Sequence, residues 1–130
     1  MYLLDTNACI HFMRGMHGME NAVARVGPTS CRISEITYAE LLFGVENSDR
    51  RKHNLENLER FLLRISILPV WPAIPVYAKE RARLERIGRR VDDFDLLIGA
   101  TAVHHGLTLV TNNTKHFQRL NDIKLEDWTR

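Results

Sequence analysis

The six residues Tyr-Leu-Leu-Asp-Thr-Asn, at positions 2–7, indicate how the whole chain is organised. Three apolar or aromatic residues in a row, with no polar face, are typical of a short strand that is covered on both sides of a parallel sheet. Asp5 follows at the carboxyl end of this strand, where ligands bind in open parallel α/β sheets. Asp5 is therefore a candidate metal or phosphate-chemistry carboxylate. Alternatively, Asp5 only caps the next helix, a role that Thr6 or Asn7 can also take.

Strand and helix patterns alternate along the rest of the chain. Strands are predicted at residues 2–4, 31–34, 66–70 and 107–111, and residues 123–128 can add an edge strand. Helices are predicted at residues 7–13, 19–26, 35–45, from an Asp49 cap to about 64, 76–90 and 92–105. The alternation predicts an α/β sandwich with a mostly parallel central sheet of four to five short strands, in a single domain over residues 1–130.

Composition and charge exclude several classes of protein. The chain is 45% hydrophobic and 26% charged with a net charge of +2, as in ordinary globular proteins. It has no apolar run near the ~20 residues of a membrane span and no signal-peptide pattern. Cys9 and Cys31 lack the spacing of a zinc site and are expected to be reduced core thiols. Without a Walker A sequence or a Gly-rich dinucleotide turn, ATP and NAD use are not expected. We expect a cytoplasmic protein.

Three other polar residues occupy positions comparable to that of Asp5. Asp95 lies in the first turn of the buried helix 92–105, where Asp92 or Asp93 can serve as the cap and leave Asp95 free. Asn113 follows the strand 107–111, and Glu40 lies in the apolar helix 35–45. Each also has a plainer interpretation: a helix-terminus charge for Asp95, a turn residue for Asn113 and a boundary residue for Glu40.

One rim of a parallel sheet would bring Asp5, Asp95 and Asn113 together. Two carboxylates about 4 Å apart repel each other by about 4 kcal/mol at an effective dielectric constant near 20. Burying such a cluster is therefore unfavourable without a proton or a cation. A set of oxygen ligands favours the hard ions Mg²⁺ or Mn²⁺ over zinc.

Four blocks of the sequence resemble, in the same order and at matching intervals, the signature blocks of PIN domains. They also resemble the narrower group of VapC ribonuclease toxins from bacterial toxin–antitoxin pairs. The blocks are Leu-Leu-Asp-Thr-Asn at 3–7, Ile-Thr-Tyr-Ala-Glu-Leu-Leu-Phe-Gly at 36–44, Phe-Asp-Leu-Leu-Ile-Gly-Ala at 94–100 and Leu-Val-Thr-Asn-Asn-Thr-Lys-His-Phe at 109–117. The closing Leu-Glu-Asp-Trp at 125–128 is also similar. The resemblance implies a PIN-like α/β/α sandwich.

The same resemblance implies roles for individual residues. Asp5, Glu40 and Asp95 correspond to the acidic triad of the family, with Asp5 and Asp95 as metal ligands. Asn7 and Thr111 correspond to polar support.

Two positions depart from the family pattern. Asn113 stands where many PIN domains have a fourth Asp, and His116 stands where VapC-like sequences often have Glu. Both departures remove negative charge, which puts a second metal ion in doubt. His116 could contact a phosphate-bound water or the antitoxin, although an exposed turn residue is the plainer expectation.

The activity implied by the resemblance is Mg²⁺- or Mn²⁺-dependent hydrolysis of RNA, with tRNA as a candidate substrate. The implied partners are a cognate VapB-type antitoxin and a second copy of the chain in a homodimer, with larger toxin–antitoxin assemblies also known in the family. The alternatives are a non-cutting PIN-like module that binds RNA or protein, and a phosphatase that uses Asp5 as nucleophile. The usual aspartyl-phosphatase start has a second Asp where this chain has Asn7, which argues against the phosphatase.

Two surfaces are candidates for binding these partners. The segment 79–90 contains six basic residues and two Glu, and its Arg81, Arg86 and Arg89 are candidates for holding an RNA backbone. The alternative is a solvated helix face paired with Glu80 and Glu85. The apolar stripe of the helix that ends near residue 64 offers a groove for an antitoxin helix, or is ordinary core. Its residues are Leu55, Leu58, Phe61 and Leu62.

Overall fold

The computed structural model describes residues 1–129 and contains a central sheet of five strands. The strands are β1 Tyr2–Leu4, β2 Cys31–Ser34, β3 Ser66–Leu68, β4 Thr108–Val110 and β5 Lys124–Glu126. They lie in the order β3-β2-β1-β4-β5, and all four neighbouring pairs are parallel. The predicted α/β fold with a parallel central sheet is confirmed, and the segment 123–128 does add the edge strand.

Helices cover both faces of this sheet. They are α1 Thr6–Met13, α2 Met19–Val26, α3 Glu35–Glu46, α4 Arg51–Arg64, α5 Ile74–Arg86, α6 Asp93–His105 and α7 Thr114–Phe117. Short 3₁₀ turns at Pro28–Ser30 and Trp71–Ala73 precede β2 and α5.

The two faces have separate hydrophobic cores, and β1 contributes to both. Leu4 packs with residues of α1 to α4, whereas Leu3 packs with α6, β4 and α7. Both side chains are fully buried. Because successive strand residues point to opposite faces, only a strand without a polar face fits between two helical layers.

Proline explains why two elements begin or end away from their predicted limits. The strand predicted to reach residue 70 ends at Leu68, directly before Pro69. The helix predicted at 76–90 begins at Ile74 and includes Pro75 in its first turn, where no backbone N–H is needed. It ends at Arg86 rather than 90, and Gly88 follows with φ of 68°.

Other predictions about local structure have mixed outcomes. The prediction that Asp49 caps α4 is wrong, because Arg50 is the residue that precedes α4, and it makes no side-chain hydrogen bond to the helix. Cys9 and Cys31 are free and buried, as expected of core thiols. Leu58 and Phe61 are core residues, which favours the core interpretation of the α4 stripe. None of the helices within residues 1–129 is long and apolar enough to cross a membrane.

Candidate active site

Asp5 stands at the carboxyl end of the central strand β1. Its backbone N–H donates to the carbonyl oxygen of Val110 at 3.1 Å, which continues the pairing with β4 into the site. Its Oδ1 accepts a hydrogen bond from the Ala8 N–H at 2.8 Å, so Asp5 is the cap of α1. The suggestion that Thr6 or Asn7 could fill this role is wrong because α1 already begins at Thr6. One carboxyl oxygen serves the cap, and the second can take part in chemistry.

The pKa of Asp5 depends on its burial and on the other two predicted acids. Burial raises the pKa of Asp5 from 3.8 to about 6, and hydrogen bonds from Thr111 and from the Ala8 backbone partly oppose this rise. The negative charges of Asp95 and Glu40 raise the pKa of Asp5 further. Glu40 in α3 and Asp95 in α6 are therefore near enough for their charges to act on Asp5, which follows β1.

Thr6, which was not predicted, holds Glu40 in place and lies beside a second threonine, Thr37. Thr6 Oγ1 donates to Glu40 Oε1 at 2.6 Å and lies 3.3 Å from Thr37 Oγ1. Thr37 is fully buried and precedes Glu40 by one helical turn of α3. The three-residue spacing between Thr37 and Glu40 was a signal in the sequence that could have indicated a shared face. The partnership with Thr6 depends on how α1 packs against α3.

Asp95 has an imidazole beside it. His116 Nε2 lies 3.3 Å from Asp95 Oδ2, and the His116 side chain is only 22% exposed. The expectation that His116 is an exposed turn residue is therefore wrong. Burial raises the pKa of Asp95, His116 opposes that rise, and Asp92 adds to it. Asp92 is the cap of α6 and accepts from the Phe94 N–H at 3.2 Å, which leaves Asp95 free as predicted.

The remaining supporting residues surround Asp5. Thr111 is buried, contacts the Asp5 carboxyl, and accepts a hydrogen bond at its Oγ1 from the Asn113 N–H at 3.0 Å. Asn113 itself precedes α7 and has an exposed side chain. Asn7 lies in the first turn of α1 and is also exposed.

The arginines proposed for RNA binding divide into two groups. Arg81 Nε donates to Glu85 at 2.7 Å, and its guanidinium also approaches Tyr77 and Asp93, so this side chain is engaged within the protein. Arg86 and Arg89 are exposed. Glu80 pairs with Arg83 rather than with one of the three candidates.

A cavity of about 220 Å³ opens beside Glu40 between α1, α3 and α4. Its wall includes Ile10, Leu41, Gly44 and Leu58, together with polar atoms of Asn54, Asn57, Arg14 and Ser48. The mixture of apolar wall and polar rim fits a peptide segment. Of the three predicted acids, Glu40 lines this cavity.

The acidic centre has the donors that a hard divalent ion requires. Desolvation and mutual repulsion destabilise the Asp5 carboxylate, and a cation would relieve both effects. Within residues 1–129, no three His, Cys, Asp or Glu side chains converge closely enough to enclose an ion between them. Mg²⁺ usually keeps several waters and takes one or two carboxylates, so Asp5 and Asp95 would be enough to hold it.

The PIN domain model matches residues 2–123. The "tRNA(fMet)-specific endonuclease VapC" of Shigella flexneri is 35% identical over 98% of each chain, and "Ribonuclease VapC2" of Rickettsia felis is 34% identical over 100% of this chain and 99% of the relative.

Two solved structures have nearly the same fold. The structure of VapBC2 from Rickettsia felis bound to a DNA fragment from its promoter has a TM-score of 0.90 at 32% identity, and covers 98% of each chain. DNA-bound VapBC from Salmonella typhimurium has a TM-score of 0.91 at 35% identity, and covers 98% of this chain and 97% of its counterpart.

Proposed function

Because this chain belongs to the PIN-domain family, and within it to the VapC ribonucleases, we propose that it is a metal-dependent endoribonuclease toxin neutralised by a VapB-type antitoxin. The main observation behind the proposal is that the charges of Asp95 and Glu40 raise the pKa of the buried Asp5 carboxyl. Charges from two other segments of the chain raise the pKa of Asp5, and burial of the charged carboxyl lowers stability unless a cation is bound. The proposal treats residues 1–130 as one PIN domain.

In the proposed mechanism, Asp5 and Asp95 hold Mg²⁺ or Mn²⁺ directly or through water. When bound, the ion polarises the scissile phosphate and lowers the pKa of the attacking water. Glu40 positions that water, accepts its proton or reaches the ion through a second water, and Thr6 donates a hydrogen bond to its Oε1. Asp5 must lose its proton to bind the ion, so metal uptake is coupled to deprotonation of a carboxyl whose pKa is about 6.

The proposed substrate is RNA, which places the activity in the cytoplasm. Because one relative is named for cleaving initiator tRNA, tRNA is the first substrate to test. Arg86 and Arg89 are exposed cations that can hold the RNA backbone. Arg81 is a weaker candidate, because binding a phosphate would require it to leave Glu85.

The proposed antitoxin binds at the cavity beside Glu40. Structures of related chains are described as VapBC complexes, and a segment lying in this cavity would cover the acidic centre. A homodimer, and larger assemblies with the antitoxin, are part of the same proposal. In this arrangement the partner stops cleavage by blocking access to Glu40.

Inducible expression of the chain in a bacterial host without its antitoxin tests the proposed function. Wild type, Asp5→Asn and Asp95→Asn are compared, and total RNA is separated on a gel. We expect wild type to stop growth and leave a discrete cleaved RNA, with both variants silent. Asp49→Asn is the matched control, since Asp49 is exposed and caps no helix.

The comparison requires that the variants are folded. Circular dichroism of the purified proteins tests this. If both Asp variants remain as toxic as wild type, the carboxylates do not perform the reaction. A chain that binds RNA or antitoxin without any cleavage would instead be the non-cutting module.

A further inference from the structure

His116 presents an unused nitrogen to the acidic centre. Its Nε2 atom is buried and has no hydrogen-bond partner within residues 1–129, while Asp95 Oδ2 lies 3.3 Å away. Buried polar atoms are nearly always hydrogen-bonded, because an unpaired one forfeits its interaction with water. The His116 ring nitrogen lies at ion-pair distance from a carboxylate without a well-formed hydrogen bond to it. A ligand shared with that carboxylate would account for both features.

Packing and backbone hydrogen bonding fix the position of the His116 ring. Its backbone N–H donates to the Asn113 carbonyl at 3.2 Å, within the short helix α7. The ring packs edge-on against Phe117, with centroids 5.5 Å apart, and Phe117 is almost fully buried. Phe117 thus anchors the segment that directs His116 towards Asp95.

The separation of the two side chains matches that of neighbouring ligands on one ion. Ligand atoms that each lie about 2.1 Å from an ion, at right angles, are about 3 Å from each other. The observed 3.3 Å between Nε2 and Oδ2 is close to that value. Asp5 is near enough for the Asp95 charge to raise its pKa.

We propose that His116 is a direct ligand of the divalent ion, next to Asp95, and that this nitrogen makes the site prefer Mn²⁺ over Mg²⁺. The inference rests on the proposed function and names the ligand set of the same site. Mg²⁺ is a hard ion that takes oxygen ligands, whereas an imidazole suits transition metals. His116 stands where VapC-like sequences often have Glu, so the site has one negative charge fewer. This loss weakens the binding of Mg²⁺ more than the binding of Mn²⁺.

A simple ion pair is the competing explanation for the contact. A protonated His116 beside an ionised Asp95 would also give a distance of 3.3 Å. In that ion pair, the Asp95 carboxylate would bind the imidazolium, and a cation could not bind to His116 Nε2. The two explanations differ in one observable, which is whether a bound ion has a nitrogen in its coordination shell.

Pulsed EPR of Mn²⁺ bound to the untagged, full-length chain measures that observable. A directly bound imidazole gives a ¹⁴N modulation of the Mn²⁺ signal. We expect the modulation in wild type and in His104→Gln, which changes an exposed histidine in the last turn of α6. We expect it to be absent from His116→Gln. No ¹⁴N modulation in wild type, or an unchanged one in His116→Gln, would overturn the inference.

Ion competition provides a second readout that does not depend on RNA cleavage. The dissociation constants for Mn²⁺ and Mg²⁺ are compared in wild type and in His116→Glu, which restores an oxygen ligand. We expect His116→Glu to shift the preference towards Mg²⁺ by at least about tenfold. An unchanged ratio in a folded variant contradicts a direct role for the imidazole.

The failure of this inference and that of the proposed function can be told apart. If wild type shows the ¹⁴N signal but cuts no RNA, His116 is confirmed as a metal ligand and the ribonuclease proposal is wrong. If wild type cuts RNA with Mn²⁺ bound through oxygen atoms alone, the ribonuclease proposal is confirmed and His116 is not a metal ligand.

Discussion

At the level of single residues, Asp5 combines two roles that usually belong to different side chains. It caps α1 through the Ala8 N–H, and it presents a buried carboxyl to Asp95 and Glu40. The cap accounts for local helix stability, whereas the burial of its charge destabilises the folded chain. That conflict is typical of a functional site, where a group is retained for its chemistry at a cost in stability.

The raised pKa of Asp5 gives a stability prediction for the metal-free chain. Since the folded pKa of about 6 lies above the unfolded value of 3.8, the stabilising contribution is fully present below the unfolded value and is lost as the pH rises through 6. The corresponding penalty at pH 7 is about 3 kcal/mol. Asp5→Asn keeps the cap and removes this penalty.

Urea unfolding in EDTA at several pH values measures the effect. We expect Asp5→Asn to become more stable than wild type by up to about 3 kcal/mol between pH 4 and pH 7. Asp49→Asn serves as the control and should follow wild type. A difference between wild type and Asp5→Asn that does not change with pH would contradict the assigned burial of the Asp5 charge.

The hydrogen bond from Thr6 to Glu40 gives a second prediction at this scale. Thr6→Val keeps the shape of the side chain but removes the donor, so Glu40 loses its fixed orientation. We expect kcat for RNA cleavage to fall about tenfold with KM unchanged, as for loss of a charged hydrogen bond of about 1.5 kcal/mol. Thr6→Ser restores the hydroxyl and should recover most of the rate. If Ser and Val behave alike, the hydroxyl does not position Glu40.

The sequence was more informative about charges than about the side chains that orient them. Asp5 and Asp95 could be proposed from their positions at a strand end and a helix start, whereas Glu40 was assigned through the resemblance to PIN domains. The partners Thr6 and Thr37, and the approach of His116 to Asp95, join segments more than 20 residues apart. Those contacts depend on the angle and depth at which helices pack, which residue patterns do not specify.

At the level of elements, two helical glycines differ sharply in their surroundings. A Cβ on Gly99 in α6 would lie 2.5 Å from Leu120 Cδ2 and 3.5 Å from the Phe117 ring. A Cβ on Gly44 in α3 would meet nothing within 4 Å. Helix α6 therefore approaches α7 closely at Gly99, whereas α3 has room for a side chain at Gly44.

These surroundings predict opposite effects on stability. Gly99→Val overpacks the contact between α6 and α7 and should lower the free energy of unfolding by about 1–3 kcal/mol. Gly44→Ala should raise it by up to about 1 kcal/mol, because alanine favours the helix and has room. Thermal and urea unfolding of both variants measure this. Equal effects of the two substitutions would contradict the observed packing of α6.

The cavity between α1, α3 and α4 can be tested separately from the chemistry. Gly44→Leu places a side chain in the cavity wall without changing an acid. We expect RNA cleavage by the free toxin to stay within about twofold, while the antitoxin concentration needed for inhibition rises at least about tenfold, equivalent to a loss near 1.4 kcal/mol. Ala78→Leu, on the exposed face of α5, is the control. Unchanged inhibition would place the antitoxin elsewhere.

Helix starts and ends were predicted best where the chemistry of the cap is simple. Asp92 caps α6 as proposed, because an acid at a helix start accepts a free N–H. Asp49 does not cap α4, and the helix begins two residues later at Arg51. The helix predicted from residue 76 begins two residues earlier and includes Pro75, because a proline in the first turn of a helix costs little.

At the level of the whole molecule, the strand order explains where the site lies. The chain moves from β1 outwards to β2 and β3, then returns to place β4 on the other side of β1. The connections therefore diverge at the carboxyl ends of β1 and β4, which is where ligands bind in open α/β sheets. Asp5 and Thr111 follow these two strands directly. The class of fold was predictable from alternation, but the strand order was not.

RNA cleavage by the purified chain, with Mn²⁺ or Mg²⁺ and then with excess EDTA, tests the central claim most directly. Wild type, Asp5→Asn, Glu40→Gln and Asp95→Asn are compared under single-turnover conditions with a defined tRNA. We expect cleavage by wild type to require the ion, and each variant to lose at least about 100-fold in rate, equivalent to about 2.7 kcal/mol of transition-state stabilisation. Undiminished cleavage in EDTA, or by folded variants that lack these acids, would contradict the account.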